Sequence, residues 1–459
     1  LLDIPAISSQ SPMSLHPLAP RPLATERSPW LRGVLRVPGD RAMSHLALIL
    51  GAMARGETTI EGLNESADVF ATGRAMQALG ARIDKRAGRW HLMGIGVGGF
   101  LEPEDVLHFS SSSESLALCM GLIGPYGFIS QFTGDPALAM RSQVATLAAL
   151  QHFGVSKVAG IGDGLPLSLR GARLPTPAEI ELPTPSARLK AAMLLGALSI
   201  TGVTSITEPL PTRDHAERLL AAFGARLETR ALEDGRRLIE IEGMTMLRAQ
   251  HVPIPGDASA AAHAVVAGLI VPDSEILIEE VLVSPMRTGL IETLREMGGQ
   301  IDIVRPRQVG SEKLGDVRVI QSRLHGVTVP AERLPAMVEE FPLLAVAAAA
   351  AEGETVIGGL DALADRDCNQ VEAVIRALAA NRVQARLEDG KLVIEGQGKI
   401  KGGGRVACHG DASIAMAFLV LGMAADLQVT VDDQSAIAQV YPDFVADFEK
   451  LGASFLRYS

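Results

Sequence analysis

The sequence predicts an α/β protein of two lobes, assembled from six copies of one supersecondary unit. Three observations predict it. A helix ending recurs six times, a β-branched strand bounded by glycine recurs at matching places, and a Pro-Gly-Asp segment occurs twice and divides the chain.

The helix endings are Leu79-Gly80-Ala81, Phe153-Gly154-Val155, Phe223-Gly224-Ala225, Met297-Gly298-Gly299, Ala380-Asn381-Arg382 and Leu451-Gly452-Ala453. They stand roughly 70 to 80 residues apart, a period that fits whole supersecondary units rather than solenoid turns. Gly or Asn at each ending suits a left-handed helix C-cap before a strand. Within the units, Gly56 to Gly62, Gly202 to Thr207 and Gly353 to Gly358 alternate β-branched residues between glycines, as short strands do.

Val37-Pro38-Gly39-Asp40 opens one set of three units, and Ile254-Pro255-Gly256-Asp257 opens the other. Each precedes a small-residue helix with a histidine, His45 or His263. Pro-Gly favours a turn, so the chain is expected to cross between lobes at these two places. Residues 31–37 with 255–459 are expected to form lobe one, and residues 38–254 lobe two. Lobes joined by a double crossing commonly close on a ligand between them. Residues 1–30, rich in Pro, Ser and Leu, read as a flexible leader.

The bulk properties agree. A chain of 459 residues exceeds one ordinary domain. Hydrophobic residues make up 47% and charged residues 21%, which supports a large core in a folded chain. Aromatics are only 4%, so the core is expected to be Ala, Leu, Val, Ile and Met, as in helix-on-sheet layers. A formal net charge of -11 argues against a nucleic-acid partner. Cys119, Cys368 and Cys408 have no metal-ligand spacing and read as reduced thiols in a cytoplasmic protein. The best candidate for a membrane span, Leu343 to Ala351, is too short and reads as a buried helix.

Six units in two lobes, with Pro38-Gly39-Asp40 followed by Ser44-His45, resemble the EPSP synthase (enolpyruvyl transferase) family. The likeness runs from about Leu31 to the C-terminus. It is strongest at Pro211 to His215, Met286 to Leu290 and Ile414 to Val420, and it is similar to the glyphosate-tolerant branch. The resemblance implies a two-lobed inside-out α/β barrel of βαβαββ-type units, three per lobe. It also implies transfer of an enolpyruvyl group from phosphoenolpyruvate to 3-phosphoshikimate, giving EPSP and phosphate. Neither a metal nor an organic cofactor is implied, and the family precedent favours a monomer. Both substrates are small polyanions, so the interlobe cleft needs Lys and Arg to hold their oxygens and acid/base groups to move protons.

Carried over residue by residue, the likeness assigns Arg41, Arg141, Ser186 and Arg213 to ligand binding, with Arg188 replacing a glutamine that touches both substrates. Glu339 stands for an aspartate base, and Arg366-Asp367 for a Lys-Glu pair that serves binding and proton transfer. For Arg213 and Asp214, a plain surface or interlobe ion pair is an equal reading. Other positions are changed. Ala42 and Leu46 replace a serine and an arginine, Glu114 and Ala117 stand in an altered loop, and Gln370 and Ser413 replace two arginines that clamp the phosphoenolpyruvate carboxylate. These changes predict that the family reaction is weak or lost, with a less anionic ligand or a non-catalytic scaffold as alternatives. Gly402 to Arg405 reads as a loop before a phosphate cradle. Ser110 to Ser115 reads as a helix cap or an anion nest. His45, His215, His263 and His409 read as structural, with no zinc spacing.

Overall fold

The computed structural model describes residues 20–363 and 370–457. Its strands form six four-stranded sheets, and all six share one pattern: an edge strand parallel to the second, then two antiparallel strands. In one sheet His251–Pro253 runs parallel to Glu57–Glu61, which pairs antiparallel with Arg89–Met93 and, beyond it, Arg82–Arg86. In another, Arg32–Leu35 runs parallel to Glu275–Leu282. Each strand beside a crossing thus closes a sheet of its own lobe.

Six helices lie inside the sheets: Arg41–Met53, Ser113–Ile123, Ala187–Ala197, Ala258–Ile270, Phe341–Ala350 and Ala412–Ala424. They are rich in Ala, Leu, Met and Gly and are apolar nearly all round, so they are buried nearly all round. Two of them approach closely: a Cβ on Gly121 would stand 2.2 Å from the Ala192 carbonyl oxygen, so glycine is required there. The outer helices, such as His215–Ala222 and Gly289–Glu296, carry one apolar face and one charged face. The apolar residues form two cores. One gathers residues 23–37 with 260–453, and the other residues 43–254 with Leu282. The molecule is therefore the two-lobed α/β barrel with helices inside and sheets outside.

Two expectations are corrected. Residues 20–30 are not a flexible leader: Leu23–Glu26 is a strand between Val429–Val431 and Ser454–Arg457. Leu23, Ala24 and Thr25 are fully buried, and Thr25 Oγ1 donates to the Leu419 carbonyl at 2.7 Å. A four-residue strand whose partners lie at the far end of the chain leaves no local periodicity to read. Residues 1–19 lie outside the described residues. The fifth helix ending is also shifted by one: Arg382, not Asn381, takes the left-handed conformation (φ 65°) that glycine takes in the other endings. Asn381 instead bonds the Ala377 carbonyl at 2.9 Å and the Gly404 N–H at 3.1 Å. That bond packs Gly404 against the helix end, and the glycine run serves packing: a Cβ on Gly402 would meet the Leu427 carbonyl oxygen at 2.4 Å.

Candidate functional site

The two Pro-Gly-Asp segments meet where the chain crosses. Asp40 N donates to the Pro255 carbonyl at 2.7 Å and Asp257 N to the Pro38 carbonyl at 2.9 Å, with Gly39 opposite Gly256. Each aspartate then caps an inner helix. Asp40 accepts from Met43 N at 2.9 Å, and Asp257 from Ser259 N at 2.7 Å. The second oxygen of Asp257 accepts from Arg41 N at 3.0 Å, which links the lobes again.

Residues at the starts of five inner helices, and Glu339 just ahead of the sixth, line two adjoining cavities. Arg41, Ser113, Ser259 and Ser413 border a cavity of ≈ 210 Å³, and Ala187 borders one of ≈ 130 Å³. Glu114, Arg188 and Glu339 border both. Helix N-termini present free N–H groups and positive potential, so the shared space suits an anion where side chains do not oppose it. Caps from Ser112 to Ser115 N and from Ser186 to Leu189 N, both 3.2 Å, fix two of these starts.

Glu339 is the charge centre. Its Oε1 lies 2.7 Å from Arg213, and its Oε2 lies 3.8 Å from both Arg41 and Arg287. Ser259 Oγ is 3.0 Å from Glu339 Oε2, lies against Glu340, and accepts from Arg287 Nη2 at 2.8 Å. Arg287 is buried and also reaches Asp257 at 3.2 Å and Asp40 at 3.8 Å. Burial opposes its charge, but Glu340, Glu339, Asp257 and Asp40 together hold it well above the ordinary arginine value. Burial pushes the Asp257 carboxyl up, with Asp40 adding to it, and burial likewise pushes Glu340 up. A carboxylate fixed as Glu339 is can take a hydrogen bond or a proton from a ligand hydroxyl.

The two ends of the space differ. At one, Ser186, Arg188 and Arg213 converge on the start of Ala187–Ala197. At the other, Gln370 Nε2 donates to Asp411 Oδ2 at 2.9 Å and to Ser413 Oγ at 3.0 Å, and Asp411 caps Ala412–Ala424. Gln370 is buried, and among the described residues its Oε1 has no hydrogen-bond partner. Arg141 borders the larger cavity and donates to Ser113 Oγ at 2.6 Å.

The structure thus gathers Arg41, Glu114, Arg141, Ser186, Arg188, Arg213, Glu339 and Ser413 around one space, with Gln370 beside it. Leu46 and Ala117 are buried and, like Ala42, line neither cavity. Arg366 and Asp367 lie outside the described residues. Arg213 does form an interlobe ion pair, and Asp214 pairs with Arg218 at 2.9 Å. The Ser110 to Ser115 cluster does act as a helix cap. Sequence reasoning missed Arg287, Asp257, Ser259 and Glu340 as site residues. The repeated Pro-Gly-Asp pointed to Asp257, but nothing local marks Arg287. Among the described residues no group of His, Cys, Asp and Glu is arranged to hold a metal ion, and no helix is long and apolar enough to cross a membrane.

Comparison with known proteins shows what the whole chain is similar to. The family model for EPSP synthase (3-phosphoshikimate 1-carboxyvinyltransferase) matches residues 26–448. A 3-phosphoshikimate 1-carboxyvinyltransferase of Chelativorans sp. (strain BNC1) is 46% identical over 441 residues, covering 95% of this chain and 98% of the relative. One from Brucella abortus (strain S19) is 44% identical over 440 residues, covering 95% and 98%. Among solved structures, an EPSP synthase from Acinetobacter baumannii superposes with a TM-score of 0.83 at 29% identity, over 96% of this chain and 100% of that one. The enolpyruvyl transferase NikO from Streptomyces tendae shares the fold, with a TM-score of 0.73 at 20% identity, over 96% of this chain and 99% of that one.

Proposed function

The chain belongs to the EPSP synthase family, and we propose that its interlobe space holds a phosphate-bearing, shikimate-like ligand and performs the family's carboxyvinyl transfer only weakly. The relatives' shared name supports 3-phosphoshikimate as the acceptor. In that reaction the acceptor hydroxyl displaces phosphate from phosphoenolpyruvate overall, and EPSP and inorganic phosphate result.

The observation that carries the reading is the unequal charge of the two ends. Ser186, Arg188 and Arg213 suit a phosphate. Gln370 and Ser413, where the family likeness calls for arginines, instead hold Asp411. A phosphoenolpyruvate carboxylate at that end meets a carboxylate and two neutral groups. A buried charge deprived of its partner costs roughly 3–5 kcal/mol. Arg41, Arg141 and Glu339 keep the type of chemistry the transfer needs, and Arg366 and Asp367 complete the proposed proton-transfer set. A second reading, a less anionic ligand, is favoured by Glu114, whose carboxylate borders both cavities.

Phosphate release from 3-phosphoshikimate and phosphoenolpyruvate tests this. The expected result is calorimetric binding of 3-phosphoshikimate and slow release above a buffer blank. Turnover at the enzyme median of about 10 s⁻¹ would overturn weak transfer. Absence of 3-phosphoshikimate binding would overturn the ligand.

A further inference from the structure

Ser259 Oγ stands among three polar side chains. Arg287 Nη2 donates to it at 2.8 Å, Glu339 Oε2 lies at 3.0 Å, and Glu340 Oε1 lies against it. A serine hydroxyl has one hydrogen to give and two lone pairs to receive with. Arg287 takes one lone pair. If both carboxyls are ionised, the single hydrogen serves one of them, and the other contact sets two acceptors face to face. One added proton satisfies all three contacts. A protonated carboxyl then donates to Ser259, and Ser259 donates to the second, ionised carboxyl.

The surroundings decide which carboxyl holds that proton. Glu339 faces three guanidiniums, Arg213 at 2.7 Å and both Arg41 and Arg287 at 3.8 Å. Glu340 is the more deeply buried of the two and borders neither cavity. Among the described residues its ion-pair partner is Arg287, at 3.7 Å. Burial pushes the Glu340 carboxyl up; the Glu339 charge adds to this, and Arg287 and Arg213 oppose it. The other carboxyls around Arg287 cap helices. Asp257 accepts from the N–H groups of Arg41, Ser259 and Ala260, and Asp40 from that of Met43. Such bonds favour the ionised form.

We propose that Glu340, Ser259 and Glu339 share one proton, held at rest on Glu340, so that Glu340 is a positioning residue that keeps Glu339 ionised toward the ligand space. Its meaning for the reaction rests on the reading of Glu339 as the group that takes a proton from a ligand hydroxyl; the place of the resting proton does not. Two carboxyls of one site then hold different forms near pH 7, the arrangement that separates acid from base.

Infrared difference spectra of the full chain at neutral pH, native minus Glu340→Gln, read the proton directly. The expected result is a protonated-carboxyl stretch that is present in the native chain and absent from the variant, whose amide still offers Ser259 an N–H. Urea titrations give a second readout. Unfolded Glu340 loses its proton near the ordinary 4.5, and folded Glu340 keeps it. The native chain therefore loses stability as pH rises from there toward the folded value. Its unfolding constant is expected to rise about tenfold more per pH unit than that of Glu340→Gln, between about pH 5.5 and 6.5. Ser259→Ala should keep the infrared band but shift it, because the Glu340 hydroxyl has lost its acceptor, and this arm stands even where Glu340→Gln does not fold. A native chain without the band, a band that Ser259→Ala leaves in place, or a band and pH dependence shared with Glu340→Gln overturns the proposal. Phosphate release by Glu339→Gln tests the base reading apart: a native rate there overturns that reading and leaves the shared proton standing.

Discussion

Arg213 Nη1 lies 2.7 Å from Glu339 Oε1, and this ion pair joins lobe two to lobe one at the edge of the smaller cavity. The backbone beneath Arg213 is fixed independently. Lys190, wholly buried, donates to the Arg213 carbonyl at 2.9 Å and pairs with Glu217 at 2.8 Å and Glu208 at 3.3 Å. Arg237 balances both glutamates, at 2.6 and 2.8 Å. The backbone at Arg213 is therefore held independently of the side chain, whose guanidinium pairs with Glu339 and borders the smaller cavity.

Replacing Arg213 should weaken the ligand more than the fold. A hydrogen bond to a charged group contributes about 1.5–3 kcal/mol. Arg213→Ala is expected to raise the calorimetric Kd for 3-phosphoshikimate by about 10- to 100-fold. Arg213→Lys should restore part of that affinity. An unchanged Kd in the alanine variant would remove Arg213 from the pocket.

Arg287 should behave in the opposite way. It is buried among Asp40, Asp257, Glu339 and Glu340, so its loss leaves several carboxylates facing one another. Arg287→Met is expected to destabilise the protein by roughly 3–5 kcal/mol, seen as a lower urea midpoint. Adding Asp257→Asn to that variant should recover part of the loss. A midpoint unmoved by Arg287→Met would mean that the cluster is solvated and not the charge centre described.

His45 makes stability depend on pH. Burial, with Arg41 nearby, lowers its folded value from 6.5 to about 3, and its Nδ1 lies 2.7 Å from Thr72 Oγ1. The unfolded chain takes up the proton first as pH falls. The His45 contribution is thus whole above about 6.5 and is lost as pH drops toward about 3. The stability advantage of the native chain over His45→Gln is expected to shrink by about 2 kcal/mol between pH 7.5 and pH 5. Urea titrations at the two pH values measure it, and a pH-independent difference would contradict the assignment.

Cations returned to the neutral end should strengthen transfer. Gln370→Arg with Ser413→Arg places two guanidiniums beside Asp411. The double variant is expected to release phosphate at least about tenfold faster than the native chain, a gain of about 1.4 kcal/mol. Release unchanged by both substitutions would place the defect elsewhere in the site.

The repeat grammar was legible because each unit marks its own ends. Five of six helix endings carry a glycine in the left-handed region, and the Pro-Gly-Asp copies announce the crossings. The fifth ending was misplaced by one because Arg382 takes that conformation without the residue that usually advertises it. Leu23–Glu26 was missed because its burial depends on Val429–Val431 and Ser454–Arg457, and no local pattern encodes so distant a partnership. Most site residues were reached through family likeness at the helix starts. Arg287 escaped because its role depends on four carboxylates brought together only by folding. Leu46 and Ala117, read as altered site positions, are buried and line neither cavity.

In the proposed function, this space holds one small anion firmly and a second one poorly. Titration of the protein with phosphoenolpyruvate, before and after saturation with 3-phosphoshikimate, tests it most directly. The expected result is heat from 3-phosphoshikimate and little or none from phosphoenolpyruvate in either order. Tight uptake of both together, with prompt release of phosphate, would contradict it.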